Sequence, residues 1–481
     1  MTDTPLWQYS ACEIAAATQN GEISAEAATV AAVNRMRQVS PELNAVVEDL
    51  GDVAIERAAD MDRQRSAGQP CGPLHGVAVT IKINVDQAGH ATSNGVVALK
   101  DNIAHQDAPL VRNLTRAGAV VIGRTNTPEF SFRADTDNPL HGRTHNPWGR
   151  HVSPGGSSGG AASAVMSGCG ALAHGNDIGG SLRFPAAATG AVTVKPGLGR
   201  VPAYNPSQKA ERGMLAQAMS VQGLITRTAA DLKLSMPALI APDIRDPFHV
   251  PLPYKGDEIN GPVRVAVSKA CFGFDLHPEV SKAIDLAADA LSDAGYDIEE
   301  MTPPLAQETA ECGYRALLGE VSELLGPDIR THGSETINAI FEEYFRQFPP
   351  FQGRSLLDAM AKRSFYAREW ALFLNEYPLV LCPFMLQPFF TPNRDAEGPE
   401  GVREALGSAL WSFSMNFTGL PAGCLPTHLA ALPQGAQPIN VQLIGRRWRE
   451  DLIVDAMIAI EARLGRLCES LWEQRSRSDK I

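Results

Sequence analysis

A lysine stands inside a strand-like segment of the chain, where a charged side chain is unusual. Residues 76–85 read Gly-Val-Ala-Val-Thr-Ile-Lys-Ile-Asn-Val, and the β-branched residues predict a buried strand that carries Lys82. Burial favours the neutral form of a lysine, and a neutral amine can act as a base. An edge strand would instead leave the amine of Lys82 in water, and from this segment alone that interpretation is favoured.

Two glycines precede a serine in a second segment, Gly179-Gly180-Ser181. Because glycine lacks a side chain, such a stretch can turn several main-chain N–H groups into one space and can admit a substrate carbonyl. N–H groups directed at a developing oxyanion contribute strongly to acyl transfer, and the adjacent hydroxyl can be the nucleophile. A lone Gly-Gly-Ser is more often an ordinary turn, so this motif needs support from others.

A third segment, residues 153–160, reads S-P-G-G-S-S-G-G and contains the pattern G-x-S-x-G. In α/β-hydrolases this pattern forms an elbow, which requires a strand immediately before the serine. Residues 146–154 contain Pro147 and Pro154 and predict a loop. Ser157 is therefore not expected to be an elbow nucleophile, although another catalytic role stays open.

Together, the three segments resemble the amidase signature family. The matching features are Lys82 in a strand, S-x-G-G-S-S-G-G at 153–160 and D-x-G-G-S-x-R-x-P at 177–185. Ser157 lies 75 residues after Lys82, and Ser181 lies 24 residues after Ser157, as the family pattern requires. Further matches are the Lys-Pro pair at 195–196 and residues 123–130, 146–148, 418–422 and 441–445. The resemblance extends from about residue 7 to residue 465.

The resemblance implies a catalytic triad of two serines and one lysine. Ser181 would be the nucleophile, Ser157 would carry protons between Ser181 and Lys82, and neutral Lys82 would be the base. The peptide bond before Ser157 would be cis, and Gly156 would ease the crowding there. No metal ion and no organic cofactor would take part.

Residues around the triad would stabilise the oxyanion, support the loop or contact the substrate. The oxyanion hole would consist of the main-chain N–H groups of Ile178, Gly179, Gly180 and Ser181. Asp177 and Arg183 flank the nucleophile loop and can pair across it, so we expect them to support it. The predicted substrate pocket includes Ser131, Phe132 and Phe184.

The chain departs from the family pattern at two informative positions. Ile83 follows the lysine where an acidic residue is common, so the hydrogen bonding around Lys82 must differ. Phe184 stands where the glutaminase subunit of aminoacyl-tRNA amidotransferases usually has glutamine, which favours a less polar substrate. We therefore expect a free amidase that hydrolyses a small-molecule carboxamide to an acid plus ammonia or an amine, through a seryl acyl-enzyme.

Three alternative functions stay open at this point. A glutaminase-type subunit of an aminoacyl-tRNA amidotransferase would share the triad but would need partner subunits. An esterase or carbamate hydrolase would use the same acyl chemistry. A catalytically dead binding protein is disfavoured because all three residues of the triad are present.

The elements that must position these segments alternate between strands and helices. Strand patterns occur at 76–85, 119–123, 171–173, 191–194, 263–267, 296–298, 379–381 and 439–444, and helical patterns at about 22–36, 46–65, 109–116, 158–167, 278–293, 304–375 and 450–464. We expect an α/β fold with a large mixed, mainly parallel sheet flanked by helices on both faces, as the resemblance implies. It would be a single domain, 1–481, with a helical segment at 1–70, the catalytic core at 71–235, and the rest of the sheet and the pocket region at 236–481.

The composition of the 481-residue chain limits its partners. With 42 Lys and Arg against 54 Asp and Glu, the net charge of −12 disfavours binding to nucleic acid or to an anionic membrane. Eight scattered cysteines, no visible signal peptide and no apolar run of about 18 residues predict a reduced, cytoplasmic protein. His141 and His145 lack the H-E-x-x-H pattern, so we expect no zinc site. The expected partner is a small-molecule amide, and the resemblance also allows a homodimer.

Overall fold

An eleven-stranded β-sheet runs through the computed structural model, which describes residues 4–478. The strands are β1 (Val46–Asp49), β2 (Ala78–Lys82), β3 (Val120–Thr125), β4 (Leu172–Asp177), β5 (Val192–Lys195), β6 (Val221–Thr226), β7 (Arg264–Val267), β8 (Asp297–Glu300), β9 (Leu379–Pro383), β10 (Ala422–Leu432) and β11 (Gly435–Gly445). Their spatial order is β1-β3-β2-β4-β6-β5-β10-β11-β9-β7-β8. The segments 1–70, 71–235 and 236–481 therefore all contribute strands to one sheet.

The α/β class and the mixed sheet are confirmed, but the sheet is not mainly parallel. Within residues 4–478, four neighbouring strand pairs are parallel, namely β2–β3, β2–β4, β7–β8 and β7–β9, and six are antiparallel. Four of the six antiparallel pairs involve β6 or β10, two strands that the sequence patterns did not reveal. When those two strands are left out, the remaining strands and helices alternate along the chain as they do in proteins with a parallel sheet.

Helices surround the sheet. They are α1 (Ala11–Asn20), α2 (Ala25–Leu43), α3 (Gly51–Ser66), α4 (Pro109–Arg116), α5 (Gly159–Met166), α6 (Arg183–Thr189), α7 (Met214–Met219), α8 (Ala229–Leu239), α9 (Pro278–Asp293), α10 (Ala306–Leu324), α11 (Gly326–His332), α12 (Glu335–Gln347), α13 (Gly353–Glu376), α14 (Gly398–Val402), α15 (Leu410–Thr418), α16 (Glu450–Leu464) and α17 (Leu467–Ser478), with a π-helical turn at Arg403–Gly407. Short 3-10 turns lie at Leu6–Gln8, Val97–Leu99, Glu129–Ser131 and Arg394–Ala396. Over the described range, no helix has both the length and the apolar character that crossing a bilayer demands.

The two faces of the sheet pack into separate hydrophobic clusters. Val79 and Ile81 of β2 and Leu172 of β4 pack with α4, α8, α9 and α16. Ala173 of β4 packs on the opposite face with α5 and α6. Because side chains alternate along a strand, Lys82 points to the face opposite Val79 and Ile81. The face that α5 and α6 cover therefore carries the lysine.

Predicted and observed elements agree best for the long periodic helices. The limits of α4, α9 and α16 are those that the periodicity predicted. The helix predicted from residue 46 is wrong at its start, because Val46–Asp49 pairs with β3 as β1 and α3 begins at Gly51. A four-residue strand depends on its neighbour more than on its own pattern. Strand β10 contains Pro426 beside a shift in register, which hid it from a pattern-based prediction.

Candidate active site

Lys82 is the last residue of β2, which lies between β3 and β4 rather than at the edge of the sheet. The side chain is fully buried, so the interpretation of Lys82 as an edge-strand lysine is wrong. Its Nζ lies 2.7 Å from Oγ of Ser157, 3.0 Å from Oγ of Ser158 and 2.9 Å from Oδ1 of Asn176. Burial lowers the pKa of Lys82 well below its ordinary value, and the negative charge of Asp177 only partly opposes this. An amine in this setting can accept a proton.

Ser157 reaches the lysine from a tight loop before α5, and no strand precedes it, as expected. The peptide bond between Gly156 and Ser157 is cis. Position 156 has no room for a side chain, because a Cβ there would lie 2.3 Å from the carbonyl oxygen of Arg133. The main-chain N–H of Ser158 donates to the carbonyl oxygen of Ser181 at 3.2 Å. The loops that carry Ser157 and Ser181 are thus tied directly to each other.

Asp177 ends β4 and holds the loop that carries Ser181. Its carboxylate accepts hydrogen bonds from the main-chain N–H groups of Gly180 at 2.7 Å and Leu182 at 3.2 Å. It also pairs with Nε of Arg183 at 3.0 Å. Burial alone would raise the pKa of Asp177, but the charge and hydrogen bonds of Arg183, the charge of Lys195 and the hydrogen bond from Asn416 together outweigh burial, and the pKa is lowered to about 2. The carboxylate is therefore ionised and fixes the direction of the loop.

Arg183 connects this loop to the C-terminal half of the chain. Its fully buried guanidinium donates to Oδ1 of Asn416 on α15 at 2.5 Å and to Oε1 of Gln442 on β11 at 2.9 Å. The amide of Asn416 also donates to the carboxylate of Asp177 at 2.9 Å. Gln442 belongs to the motif at 441–445, so one function of that distant motif is to anchor the arginine.

The four N–H groups predicted for an oxyanion hole are not equally placed. The N–H of Gly180 donates to Asp177, so it points at that carboxylate and not into the cleft. Ile178, Gly179 and Ser181 line the cleft. The φ angle of Gly180 is +127°, and a Cβ there would lie 2.5 Å from the ring of Phe184. Glycine at 180 therefore serves the shape of the loop, and three of the four predicted donors stay candidates for an oxyanion hole.

A narrow cleft with a cavity volume of about 60 Å³ opens beside Ser181. Its lining consists of Ser131, Phe132, Arg133, Ala134, Gly156, Ile178, Gly179, Ser181, Phe184, Tyr314, Leu317, Leu318, Tyr344, Leu406 and Phe413. The three residues predicted for the pocket, Ser131, Phe132 and Phe184, all lie in this lining. Among the aromatic residues of α12 and α13, Tyr344 lines the cleft, whereas Trp370 packs in the core. Most of the surface is thus aromatic or aliphatic.

Ser131 is held at the cleft wall in an unusual backbone conformation. Its φ angle is +54° and that of Phe130 is +56°, both in the left-handed region that non-glycine residues seldom adopt. The hydroxyl of Ser131 donates to Oδ1 of Asn94 at 2.6 Å, and its oxygen accepts from Nδ2 of Asn84 at 2.8 Å. Strained residues of this kind concentrate at functional sites.

Three polar residues at the site escaped the sequence analysis, namely Ser158, Asn84 and Asn176. Ser158 and Asn176 both contact Nζ of Lys82. Asn84 pairs with Asn176 through its side-chain amide. The signal that could have revealed them is position: Asn84 lies two residues after the lysine, and Asn176 directly precedes Asp177.

Among residues 4–478, no three His, Cys, Asp or Glu side chains form a cluster that could hold a metal ion. Nη1 of Arg150 lies 3.1 Å from Nδ1 of His145. Burial lowers the pKa of His141.

Comparison with known proteins shows similarity along nearly the whole chain. Residues 27–454 match the family model described as amidase. An indoleacetamide hydrolase of Bradyrhizobium diazoefficiens is 45% identical over 470 residues, which cover 98% of this chain and 89% of that protein. One subunit of the glutamyl-tRNA(Gln) amidotransferase of Moorella thermoacetica is 30% identical over 486 residues, covering 95% of this chain and 96% of that protein. The solved structure of a 6-aminohexanoate cyclic dimer hydrolase has a TM-score of 0.80 at 26% identity, covering 96% of this chain and 98% of that one.

Proposed function

The chain belongs to the amidase family, and from that membership we propose that it hydrolyses a neutral small-molecule carboxamide with a flat, apolar acyl group. The products would be a carboxylic acid and ammonia or an amine. The observation that carries the proposal is the 2.7 Å contact between the buried amine of Lys82 and the hydroxyl of Ser157, next to the cleft that Ser181 lines.

In the proposed acylation step, Oγ of Ser181 attacks the amide carbon. Its proton passes to Ser157 while Ser157 gives its own proton to the neutral amine of Lys82. The lowered pKa of Lys82 supports this assignment, because it favours the neutral amine, the form that can accept a proton. Proton transfer in the reverse direction then protonates the leaving nitrogen, and the C–N bond breaks. Water attacks the resulting ester by the same route and frees the acid.

Negative charge develops on the carbonyl oxygen in both steps. The main-chain N–H groups of Ile178, Gly179 and Ser181 are the proposed donors to it, since these residues line the cleft. Asp177 and Arg183 would act on this charge indirectly, by holding the loop in one conformation. Donors that are already oriented need no reorganisation during the reaction, which makes them effective in stabilising the transition state.

The lining of the cleft supports an apolar acyl group. Tyr314 stacks on Phe413 with ring centroids 3.3 Å apart, and Phe184 lies edge-on to Phe384 at 4.9 Å. The charged residue of the lining, Arg133, is paired with a buried carboxylate and offers little to an anionic substrate. A planar ring would bury well on these faces. We therefore propose an arylacetamide-type substrate, and the name of the 45% identical relative, indoleacetamide hydrolase, supports this choice.

The competing function is the glutaminase subunit of an amidotransferase, to which the chain is also similar. Glutamine carries an ammonium and a carboxylate, and both need polar partners when they are buried. Phe184 instead presents an apolar ring beside the Ser181 loop. The proposal therefore favours a free amidase that works without partner subunits.

Ammonia release by the purified chain, measured on a matched series of amides, tests this proposal. The series is acetamide, phenylacetamide, indole-3-acetamide and glutamine, without added proteins. Burial of an aromatic side group typically contributes about 1.5–3 kcal/mol, so we expect kcat/KM for phenylacetamide to exceed that for acetamide by about 10–150-fold. Glutamine should be hydrolysed no faster than acetamide. Hydrolysis of glutamine at the level of the aryl substrates would contradict the proposal.

A further inference from the structure

Two asparagines that the proposed mechanism does not use connect Lys82 to the wall of the cleft. Nδ2 of Asn176 donates to Oδ1 of Asn84 at 2.9 Å, and Nδ2 of Asn84 donates back to Oδ1 of Asn176 at 3.2 Å. Nδ2 of Asn84 also donates to Oγ of Ser131, whose own hydrogen goes to Oδ1 of Asn94. These directions leave the carbonyl oxygen of Asn176, and not its NH2 group, facing the amine at 2.9 Å.

The hydrogen-bonding capacity of a neutral amine then determines where its lone pair points. A neutral lysine amine has two N–H donors and one lone pair, and three oxygens surround Nζ of Lys82. Oδ1 of Asn176 can only accept, so it takes one N–H. The hydroxyl hydrogen of Ser158 is directed at the main-chain carbonyl oxygen of Asn176 at 3.5 Å, so the oxygen of Ser158 is free to accept the second N–H of Lys82. The lone pair is left for Ser157, the nearest of the three.

We propose that Asn176, held by Asn84, is the positioning residue that turns the lone pair of Lys82 toward Ser157, with Ser158 as the second acceptor. The inference rests on the proposed role of Lys82 as the base. Once Lys82 has taken a proton, the same three oxygens accept its three N–H groups, so the proton can arrive and leave without rearrangement of the site. A neutral amide does this without the negative charge that would keep the amine protonated.

The charged groups around Lys82 are already engaged or neutral. Asp177, which follows Asn176 on β4, is paired with Arg183. His174, on the same strand, stays neutral because burial lowers its pKa to about 3. Arg124, on the neighbouring β3, donates to main-chain carbonyl oxygens. A new carboxylate at position 176 would therefore act on the amine directly.

The substitution Asn176→Asp tests the inference, because it keeps the shape of the side chain and adds a charge. An opposite charge within about 4–6 Å typically changes a pKa by 1–3 units. We therefore expect the acid limb of the kcat/KM profile to move to higher pH by about 1–3 units, with activity lost at neutral pH and regained at high pH. An acid limb that stays in place would show that the side chain at position 176 does not face the amine that acts as the base.

Two further substitutions calibrate the shift. Asn84→Asp places the charge farther from Lys82, with the side chain of Asn176 in between. The acid limb of this variant should therefore move in the same direction by a smaller amount. Asn34→Asp makes the same chemical change at an exposed position of α2 and should leave the profile unchanged. If Asn176→Asp does not fold, Asn84→Asp supplies the measurement on its own.

Lys82→Ala separates failure of this inference from failure of the proposed function. If Lys82→Ala is inactive but the acid limb stays in place in both Asn176→Asp and Asn84→Asp, the positioning role is overturned and the base assignment survives. If Lys82→Ala retains activity, the proposed function fails and the positioning role fails with it.

Discussion

Lys82 and Lys195 end two strands of the same sheet, β2 and β5, and both side chains are fully buried. Burial lowers the pKa of both amines. Their partners differ, however. Nζ of Lys82 faces three side-chain oxygens, two of them hydroxyls that can pass a proton on, whereas Nζ of Lys195 donates to the carbonyl oxygen of Pro196 at 3.0 Å.

The charges around the second lysine also differ. Burial and the positive charge of Arg183 lower the pKa of Lys195 to about 7, while Asp177 and Glu450 oppose them. Lys195 thus belongs to a buried group of ionisable residues behind the Ser181 loop. Burial alone therefore does not suit an amine to act as a base. The amine also needs a hydroxyl within hydrogen-bond distance and a path from that hydroxyl to the substrate.

The largest effect should come from Ser181→Ala, which removes the nucleophile that Lys82 is proposed to serve. Turnover should fall by at least about 10³-fold, as is typical when a triad member is lost. Ser163→Ala is the matched control, since Ser163 is a buried serine of α5 whose hydroxyl has no hydrogen-bond partner among the described residues. Ammonia release by Ser181→Ala above about one part in a thousand of the native rate would show that the nucleophile lies elsewhere.

Substituting each lysine by methionine tests the comparison itself. Lys82→Met should lower kcat by about 10²–10⁴-fold, the usual contribution of a general base. Lys195→Met should keep kcat within about tenfold of the native value and act mainly on the thermal midpoint, because among residues 4–478 the amine of Lys195 has a hydrogen bond to the carbonyl oxygen of Pro196 and to no hydroxyl. Equal losses of kcat in the two variants would remove the distinction between the two lysines.

The dependence of stability on pH should report whether Lys82 is neutral in the folded chain. Its pKa is lower in the folded chain than the value of 10.5 expected on unfolding, so between these two values the unfolded chain binds a proton that the folded chain does not. The free energy of unfolding should therefore rise with pH in this window, by about 1.4 kcal/mol for each unit at most.

Lys82→Met should remove the contribution of Lys82 to this dependence and leave that of Lys195. Chemical denaturation at several pH values should show the variant to be more stable than the native chain near neutral pH, with the difference disappearing as the pH approaches 10.5. A constant difference across the whole range would mean that Lys82 is charged in the folded chain.

A smaller effect is expected from Phe184→Gln, which changes the cleft but not the lysine. Loss of the apolar contact should lower kcat/KM for phenylacetamide by about tenfold. Labelling of Ser181 by a small fluorophosphonate should stay within a few-fold of the native rate, because that reagent does not need the aryl site. A parallel loss of labelling would indicate that Phe184 shapes the Ser181 loop rather than the substrate site.

Incubation with excess chelator should have no effect on turnover, because the proposed steps involve serine, lysine and main-chain groups. Activity is measured before and after dialysis against the chelator. If activity is lost and added zinc restores it, a metal site rather than Lys82 generates the base.

Sequence patterns predicted the spatial neighbours of the triad better than the detailed hydrogen bonds. Lys82 and Ser157, 75 residues apart, were predicted as partners and lie 2.7 Å apart. The contact between Lys82 and Asn176 was not predicted, because it depends on the register of β2 against β4, where Thr80 lies opposite Ala173. No pattern within either strand encodes that register.

The hydrogen bond from the N–H of Gly180 to Asp177 could not be predicted from the sequence either. A single peptide group turns toward Asp177 rather than toward the cleft, and the sequence of the loop allows both directions. On a larger scale, β6 and β10 were missed, and with them the antiparallel centre of the sheet. Pro426 and the register shift next to it obscure the pattern of β10, whose strand conformation is supported by pairing with β5 and β11.

The most direct test of a neutral amine as the base is the pH dependence of kcat/KM on an arylacetamide, a substrate that does not itself ionise in the working range. The native chain should show an acid limb of unit slope that reaches its plateau well below pH 10.5, and Lys82→Ala should lose at least about 100-fold in rate together with that limb. If the variant keeps both the rate and the limb, some other group supplies the base and the proposed mechanism is wrong.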